Sequence, residues 1–303
     1  MDLERLRNGH RRSVARAISL VENDPVHAQK FLQEIFPHTG NAGIVGITGP
    51  AGAGKSSLIN QLTVRLSKSG SKPAVLAVDP TSHITGGAIL GDRVRMTEST
   101  DSGVYIRSLA SRGATGAVSG SLRNSIRVLE YARFDPIIVE SVGAGQTEVD
   151  ISDLADVTVV VFNPHTGDSI QTIKAGITEI GDICVVNKSD LPGSAALFDA
   201  VRDFIGESDR NPHVLLTSVK NNEGIDELSR IIQETLHSNL DSQERQEYRI
   251  KAELVDIILS NLYGKLNHMV QKDDRVAQQV DLIKAGDSNP YKAAEYITGL
   301  LLR

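Results

Sequence analysis

The sequence predicts an α/β fold with a mostly parallel central sheet covered by helices on both faces, an N-terminal helical extension and a C-terminal helical arm. Two observations predict the sheet. From residue 42 to about residue 236, short apolar runs alternate with stretches of helical spacing, and the runs are continuously apolar. Strands buried on both faces and separated by helices are typical of parallel sheets. The predicted strands are 42–48, 74–78, 104–107, 137–140, 157–162, 183–187 and 213–217.

Helical segments flank this region. Residues 14–21 and 28–35 each place apolar side chains on one helix face, which predicts an N-terminal extension. Beyond Ser238 the chain is first polar and then helical again, with an apolar stripe over residues 250–263. This stripe stands outside the α/β pattern, so we expect it to form a homodimer, although it could pack against its own domain. The predicted division is an extension over 1–40, a central domain over 41–237 and an arm over 238–303.

Composition limits the possible partners and compartment. The chain has 32 Lys and Arg against 38 Asp and Glu, and this net charge of −6 argues against a nucleic-acid surface. Its single cysteine, Cys184, cannot form an internal disulfide, which favours a reducing compartment. The charged N-terminus resembles no secretory signal, and no apolar run approaches the ~20 residues of a membrane span. We therefore expect a cytoplasmic protein that does not bind membranes.

The sequence GPAGAGKS at residues 49–56 fits the phosphate-binding pattern G-x-x-x-x-G-K-[ST], and it stands between a predicted strand and a predicted helix. Glycines let such a loop wrap around phosphates with its N–H groups pointing inward, beside the positive end of the helix dipole. We expect Lys55 to reach the β- and γ-phosphates and the Ser56 hydroxyl to bind Mg²⁺. The predicted phosphate contacts are Gly52, Ala53, Gly54, Lys55, Ser56 and Ser57.

A second pattern concerns the base. Asn187-Lys188-Ser189-Asp190 follows a predicted strand and fits the sequence N-K-x-D. A carboxylate at Asp190 can accept hydrogen bonds from guanine N1–H and the 2-amino group, whereas adenine has neither donor. We expect the Asn187 amide on the N7 side and the Lys188 stem over the ring. A loop after the next strand would meet the guanine oxygen through Ser218, Val219 and Lys220, so GTP is favoured over ATP.

Acidic residues near strand ends are candidate Mg²⁺ ligands, because Mg²⁺ prefers oxygen. Asp79 and Glu140 end predicted strands, and Asp92 lies in a glycine-rich stretch. The carboxyl ends of parallel strands face one ligand crevice, so Asp79 and Glu140 should lie near Lys55. The Gly143 N–H is expected near the γ-phosphate, and Gln146 is a candidate for orienting the attacking water.

Seven motifs together resemble one family. GITGPAGAGKSSL, AVDPTS, GGAILGDRVRM, VESVGAGQTEVD, GDSIQTIKAGI, VVNKSD and TSVKNNEGIDEL match, in this order, the methylmalonyl-CoA-mutase-associated GTPases, or MeaB/ArgK family, which includes the human methylmalonic aciduria type A protein. The resemblance covers roughly residues 8–235. It implies a P-loop GTPase of the signal-recognition/MinD class with a C-terminal dimerisation arm. It also implies slow GTP hydrolysis, stimulated by an adenosylcobalamin-dependent acyl-CoA mutase whose cofactor loading and integrity the GTPase guards.

The resemblance also implies roles for particular residues. Lys55 and Ser56 would hold phosphate and Mg²⁺, and residues 187–190 would read guanine. Residues 163–174 resemble the family's third switch, although Asn-Pro-His-Thr stands where P-G-x-G-D is commoner. The metal and switch carboxylates would be Asp79, Asp92 and Glu140, and the switch contacts would be Asp168, Gln171 and Lys174.

The hypothesis is therefore a GTP-gated chaperone whose loops are ordered by GTP with Mg²⁺ and released on hydrolysis. A metal-insertion GTPase is one alternative, but it would need a Cys/His cluster that the sequence does not display. An ATPase or kinase linked to amino-acid transport is a second alternative, which the N-K-x-D pattern disfavours. A GTP-dependent binding module with incidental hydrolysis is a third. The client could be a methylmalonyl-, isobutyryl- or other acyl-CoA mutase.

Overall fold

A computed structural model describes residues 1–79, 103–110, 117–141, 147–165, 180–206, 212–240 and 243–301. The chain divides into two compact units, Met1–Gln246 and Glu247–Arg303. The three-part division expected from the sequence stays a prediction.

A seven-stranded sheet, counted over the described residues, forms the centre of the first unit. Its strand order is β3-β2-β4-β1-β5-β6-β7, and every neighbouring pair is parallel. The predicted fold class is therefore confirmed. The strands are β1 (Ile44–Thr48), β2 (Ala74–Asp79), β3 (Tyr105–Ala110), β4 (Ile137–Ser141), β5 (Val157–Phe162), β6 (Ile183–Asn187) and β7 (His213–Thr217).

Burial explains why the strand sequences are continuously apolar. Every residue of β4, β5 and β6 is buried, whereas residues of the edge strand β7 are partly exposed. Successive residues contribute to different layers of core: Val45 and Ile47 belong to one cluster, and Ile44 packs against another. This alternation follows from the two-residue period of a strand. Cys184 is fully buried, and burial raises the pKa of its thiol to about 12.

Strand β3 ends at Ala110, later than the sequence predicted, because two polar residues stand inside it. Arg107 and Ser108 interrupt the apolar run, yet they lie opposite Leu76 and Ala77 of β2 in regular parallel register. The Arg107 guanidinium Nη2 donates to Glu22 Oε2 at 3.1 Å. A strand at the edge of a sheet tolerates such a residue when an ion pair compensates its charge.

Helices connect the strands and extend the first unit at its N-terminus. The predicted face of the extension is confirmed, because Val14, Ala17, Ile18 and Val21 are all buried. Arg11 Nη2 also donates to the Gly103 carbonyl at 2.7 Å, next to the start of β3. The helices are α1 (Leu3–Arg7), α2 (Arg11–Asn23), α3 (Pro25–Ile35), α4 (Lys55–Lys68), α5 (Ala117–Tyr131), α6 (Thr147–Leu154), α7 (Ser194–Ile205) and α8 (Ile225–Leu240).

Aspartates stabilise the amino edge of the sheet. Asp156 Oδ2 accepts from the Ile44 N–H at 2.8 Å, and Asp182 Oδ2 accepts from the Thr158 N–H at 2.8 Å. Asp135 Oδ1 accepts from the Gly43 N–H at 3.0 Å. These carboxylates satisfy backbone donors where strands begin. They lie at the opposite edge from the carboxyl ends of the strands.

The second unit is helical. Helix α9 (Gln243–Lys272) begins just before this unit, and α10 (Asp274–Ala285) and α11 (Pro290–Leu301) lie within it. Gly286 adopts a left-handed φ of 83° at the end of α10, where glycine costs least. No helix among the described residues is long and apolar enough to cross a membrane. The large apolar side chains of α9 that are exposed are Tyr248, Ile250, Leu254, Val255, Ile257, Ile258, Leu259, Tyr263 and Val270.

Candidate functional site

The phosphate loop, residues 49–56, joins β1 to α4. Gly49, Gly52 and Gly54 have φ values of 138°, 77° and 93°, which side-chain-bearing residues rarely adopt. A Cβ at Gly49 would lie 2.1 Å from the Val161 carbonyl oxygen, so this position accommodates only glycine. Gly54 precedes α4 without a side-chain cap. The first N–H groups of α4, including those of Ser56 and Ser57, are therefore suited to an anion.

Lys55 is held by its own loop. Its Nζ donates to the Gly49 carbonyl at 2.7 Å and to the Pro50 carbonyl at 3.1 Å, and the residue is only 7% exposed. A buried ammonium requires such hydrogen bonds. Carbonyl dipoles compensate a full positive charge less completely than an anion does, so phosphate oxygens are suitable partners for this group.

Ser56 and Glu140 form a hydrogen-bonded pair beside the loop. The Ser56 Oγ donates to Glu140 Oε1 at 2.7 Å, and Glu140 is 4% exposed. Next to Glu140 in β4, the Ser141 Oγ lies 2.8 Å from the Thr48 Oγ1 at the end of β1. Hydroxyl and carboxylate oxygens are the donor types that Mg²⁺ prefers, so Ser56 and Glu140 fit a magnesium ion.

Asp79 ends β2 at the same edge of the sheet as Glu140, since Ala77 pairs with Glu140 and Val78 with Ser141. The structure describes the backbone of Asp79 but not its side chain. Over the described ranges, no group of three or more His, Cys, Asp or Glu side chains could hold a metal ion. The predicted role of Asp79 stays a prediction.

Asn187 connects the phosphate loop with two strand ends. It lies opposite Thr217 in the β6–β7 register, and the Thr217 Oγ1 donates to its Oδ1 at 3.1 Å. Its Nδ2 donates to the Ala53 carbonyl at 3.0 Å. The amide that the sequence placed on the N7 side of guanine therefore also holds the phosphate loop.

Lys188 lies beside the same loop. It adopts a left-handed φ of 58°, and its Nζ donates to the Gly52 carbonyl at 2.8 Å. The long stem of this side chain consequently runs from the base-reading sequence to the phosphate loop. Asn187 and Lys188 thus bind two consecutive loop carbonyls, which fixes the distance between the two motifs.

Asp190 lies next to the loop after β7. Its Oδ1 accepts from the Ser218 Oγ at 2.7 Å, and its Oδ2 is 3.7 Å from the Lys220 Nζ. The Ser218 hydrogen bond, with a smaller contribution from the charge of Lys220, lowers the pKa of Asp190 below its usual value. The carboxylate therefore stays ionised at neutral pH and remains an acceptor, as recognition of guanine N1–H and N2–H requires.

The loop after β7 is closed by hydrogen bonds between Ser218 and Glu223, each N–H donating to the other's carbonyl at 3.0 Å. The Arg65 guanidinium of α4 contacts Asn222 in this loop and Asp226 at the start of α8. Val219 packs partly buried against the core. The helix that follows the phosphate loop therefore also supports the second base-side loop.

The sequence did not indicate two of these supporting residues. Arg65 had no distinguishing pattern, since arginines on helix surfaces are common. Asn163 was included only as the start of a switch segment, yet its Nδ2 donates to the Gly52 carbonyl at 3.1 Å. A polar residue directly after the apolar run VTVVVF was the available signal. The predicted site residues that lie outside the described residues are Asp92, Gly143, Gln146, Asp168, Gln171 and Lys174.

The family described as "Methylmalonyl Co-A mutase-associated GTPase MeaB" matches residues 14–272. The chain belongs to this family. The resemblance stated from the sequence motifs is therefore confirmed. The protein is a GTPase, and guanine nucleotides are its ligands.

Named relatives agree with this membership. A relative from Pyrococcus abyssi is 42% identical over 306 residues, which cover 97% of this chain and 94% of the relative. GTPase ArgK of Escherichia coli K12 is 33% identical over 287 residues, covering 90% of this chain and 86% of its own. The mitochondrial methylmalonic aciduria type A homolog of Mus musculus is 32% identical over 319 residues, covering 95% and 76%.

Two solved structures have a similar fold. The crystal structure of an LAO/AO transport system kinase has a TM-score of 0.71 at 27% identity, covering 99% of this chain and 96% of that one. HypB from Helicobacter pylori, solved with nickel, has a TM-score of 0.53 at 14% identity, covering 72% and 97%. At that identity, HypB indicates a shared fold alone.

Proposed function

We propose that this MeaB-family GTPase is a nucleotide-gated chaperone for an adenosylcobalamin-dependent acyl-CoA mutase, with methylmalonyl-CoA mutase the first candidate. The family's described association with that mutase is the observation on which the proposal chiefly depends. The mouse relative named for methylmalonic aciduria supports the same choice. The chaperone would assist cofactor loading and protect the loaded enzyme.

The proposed nucleotide site lies at the carboxyl edge of the sheet. The loop N–H groups and Lys55 would bind the phosphates, and Asp190 would bind the guanine edge. Asn187 and Lys188 support this arrangement, because they link the base-reading sequence to the Ala53 and Gly52 carbonyls at 3.0 and 2.8 Å. A triphosphate and its base could therefore be bound by one connected set of residues.

Mg²⁺ would be held by Ser56 and Glu140, with Asp79 and Asp92 as further proposed ligands. When bound, the ion would neutralise charge that develops on the transferring phosphoryl group. Glu140 would accept from the Ser56 hydroxyl and orient its oxygen, as it does at 2.7 Å in the structure. We propose Gly143 and Gln146 as the γ-phosphate and water contacts.

Gating would use residues 163–174, with Asp168, Gln171 and Lys174 as the proposed switch contacts. Asn163 supports this placement, because it bonds both the phosphate loop and the His165 N–H at 2.8 Å. A change at the γ-phosphate would thereby reach the start of the segment. A segment ordered in one nucleotide state and released in the other can alter a bound partner.

The helical second unit is the proposed homodimer arm. Along α9 the exposed apolar side chains include Ile250 (59% exposed), Leu254 (54%) and Tyr263 (65%). Apolar surface of this extent typically marks an interaction site. Multi-angle light scattering should give twice the 32.7 kDa chain mass, and exchanging Ile250, Leu254 and Ile258 for Glu should halve it.

We also propose that the protein is cytoplasmic.

The direct test of the chaperone function is GTP turnover with and without a cobalamin-dependent acyl-CoA mutase from the same cell. We expect slow turnover alone, acceleration by the mutase, and faster or more complete cofactor loading with GTP than with GDP. Turnover unchanged by every such mutase would contradict the proposal.

Each of the three rival functions predicts a different experimental outcome. The solved relative titled a transport system kinase favours a kinase as the second candidate, which would transfer phosphate from ATP to a protein acceptor. Incubation of the chain with cell extract and radiolabelled ATP or GTP distinguishes a kinase from a GTPase, because only a kinase labels a protein acceptor. A metal-insertion role would appear as stoichiometric nickel binding by calorimetry. GTP binding without turnover, even with a mutase present, would indicate a binding module instead.

A further inference from the structure

Asn163 directly follows Phe162, the last residue of β5, and it is 1% exposed. Strand β5 pairs with β1, where Val160 lies opposite Thr48, the last residue before the phosphate loop. The sheet therefore places this asparagine beside the loop. A buried amide at such a position must have hydrogen-bond partners.

Both ends of the Asn163 amide are used. Its Nδ2 donates to the Gly52 carbonyl at 3.1 Å, and its Oδ1 accepts from the His165 N–H at 2.8 Å. Only a side chain with a donor and an acceptor can make both bonds, which an amide does without carrying charge. One buried residue thus links the phosphate loop to the chain that leaves β5.

The Gly52 carbonyl has a second donor, the Lys188 Nζ at 2.8 Å. In a trans peptide the C=O of one residue and the N–H of the next point in opposite directions. Holding the Gly52 carbonyl therefore also orients the Ala53 N–H, which donates to the Pro50 carbonyl at 3.2 Å within the loop. Loop dipoles oriented before an anion arrives need no reorganisation when it binds.

We propose that Asn163 is a positioning residue for nucleotide binding, which fixes the phosphate loop through Gly52 without touching the nucleotide. This inference rests on the proposed guanine-nucleotide site. It predicts that Asn163 affects the affinity for the phosphates of GDP and GTP. Discrimination between guanine and adenine, which depends on Asp190, should not change.

The test is calorimetric titration of the full chain with GDP, GTP and ATP. Loss of one buried hydrogen bond should lower the affinity of Asn163→Ala for GDP and GTP about three- to tenfold, with an unchanged ratio of GTP to ATP affinity. Asn239→Ala is the matched control, because the Asn239 Nδ2 also donates to a backbone carbonyl, that of Asp156, at 2.8 Å. It lies at the amino edge and should leave nucleotide affinity unchanged.

Asn163→Asp supplies a second readout that a purely structural role would not produce. The introduced carboxyl keeps the acceptor for the His165 N–H, but when ionised it has no proton to donate to the Gly52 carbonyl and competes with that carbonyl for the Lys188 ammonium. When protonated it can donate as the amide does. Its affinity relative to wild type should therefore recover as the pH falls from about 8 to about 5.5, within the range that a buried carboxyl reaches.

Wild-type affinity in Asn163→Ala would overturn the proposal. So would an affinity loss in Asn163→Asp that is the same at every pH, and the Asn163→Asp series decides the question if Asn163→Ala does not fold. Wild-type protein that binds no guanine nucleotide would instead contradict the proposed function, so the two failures are distinguishable.

Discussion

At both edges of the sheet, side chains form hydrogen bonds to the backbone, but they are acceptors at the amino edge and donors at the carboxyl edge. At the amino edge, Asp156 and Asp182 accept hydrogen bonds from backbone N–H groups where β1 and β5 begin. At the carboxyl edge, Lys188 and Asn187 donate to carbonyls of the phosphate loop. Acceptors therefore occupy backbone donors at one edge, whereas donors at the other edge bind loop carbonyls.

This difference explains why only the carboxyl edge is suited to bind a phosphate. Carboxylates such as Asp156 bring negative charge to the amino edge and consume its N–H groups. The loop at the carboxyl edge has its carbonyls bound from outside, and α4 begins there without a side-chain cap. The N–H groups of that helix terminus and the positive charge of Lys55 therefore favour an anion at this edge. Four substitutions test this contrast between the edges.

The largest expected effect is that of Lys55→Ala. This change removes the buried cation at the loop, and we expect GTP affinity and turnover to fall at least 100-fold, since charged contacts to phosphate are strong. Thermal unfolding of the nucleotide-free protein should change little, because the desolvation cost of the buried ammonium is lost together with its hydrogen bonds to the Gly49 and Pro50 carbonyls. Retained GTP turnover, measured by phosphate release, would contradict the assignment of this edge.

The next effect concerns the base. Asp190→Asn replaces an acceptor of two hydrogen bonds by an amide, and we expect GTP affinity to fall about 100-fold. Xanthosine triphosphate has a carbonyl in place of the 2-amino group, so the variant should bind it more tightly than GTP. Competition with a fluorescent guanine nucleotide measures both affinities. An unchanged preference for GTP would show that another residue reads the base.

At the amino edge we expect a smaller effect, which lowers the stability of the protein and leaves its nucleotide affinity unchanged. Asp156→Ala leaves the partly buried Ile44 N–H without its side-chain acceptor and should lower the free energy of unfolding by about 1–3 kcal/mol. Chemical denaturation checks this value. GTP affinity measured well below the melting temperature should equal that of wild type, and a loss comparable to that of Lys55→Ala would abolish the contrast between the edges.

The smallest effect is a shift in pH dependence. The pKa of Asp190 is lowered mainly by the Ser218 hydrogen bond, so guanine affinity should be complete above the usual aspartate pKa. The affinity for guanine nucleotides should be lost only as the pH falls through the lowered pKa of Asp190. Ser218→Ala removes the main cause, so the pKa should rise and the acid loss of GTP affinity should begin at higher pH. If wild type and Ser218→Ala lost GTP affinity at the same low pH, Ser218 would not control the pKa of Asp190.

The strands and the two nucleotide motifs were predictable because their signals are local. An apolar run such as residues 157–162 is sufficient to predict a buried strand, and GPAGAGKS has a fixed spacing. The edge strand β3 was predicted too short, because the charge of Arg107 inside it is compensated by the distant partner Glu22. Long-range pairing of this kind leaves no trace in local periodicity.

The supporting contacts of the site could not be predicted for the same reason. Asn163 and Gly52 are 111 positions apart, and only the β1–β5 pairing brings them together. Arg65 likewise contacts Asn222 from a different helix. The sequence identifies the residues whose chemistry the nucleotide requires. It does not identify the residues that hold them, because the local sequence does not show which distant backbone groups lie beside a polar side chain.

The most direct test of the account is calorimetric titration of the wild-type chain with GTP and with ATP in the presence of Mg²⁺. The account predicts one site per chain and binding of GTP at least 100-fold tighter than ATP, because the Asp190 carboxylate finds no donors on adenine in the positions that guanine offers. Equal affinity for the two nucleotides, or no binding of either, would contradict the assignment of the carboxyl edge as a guanine-nucleotide site.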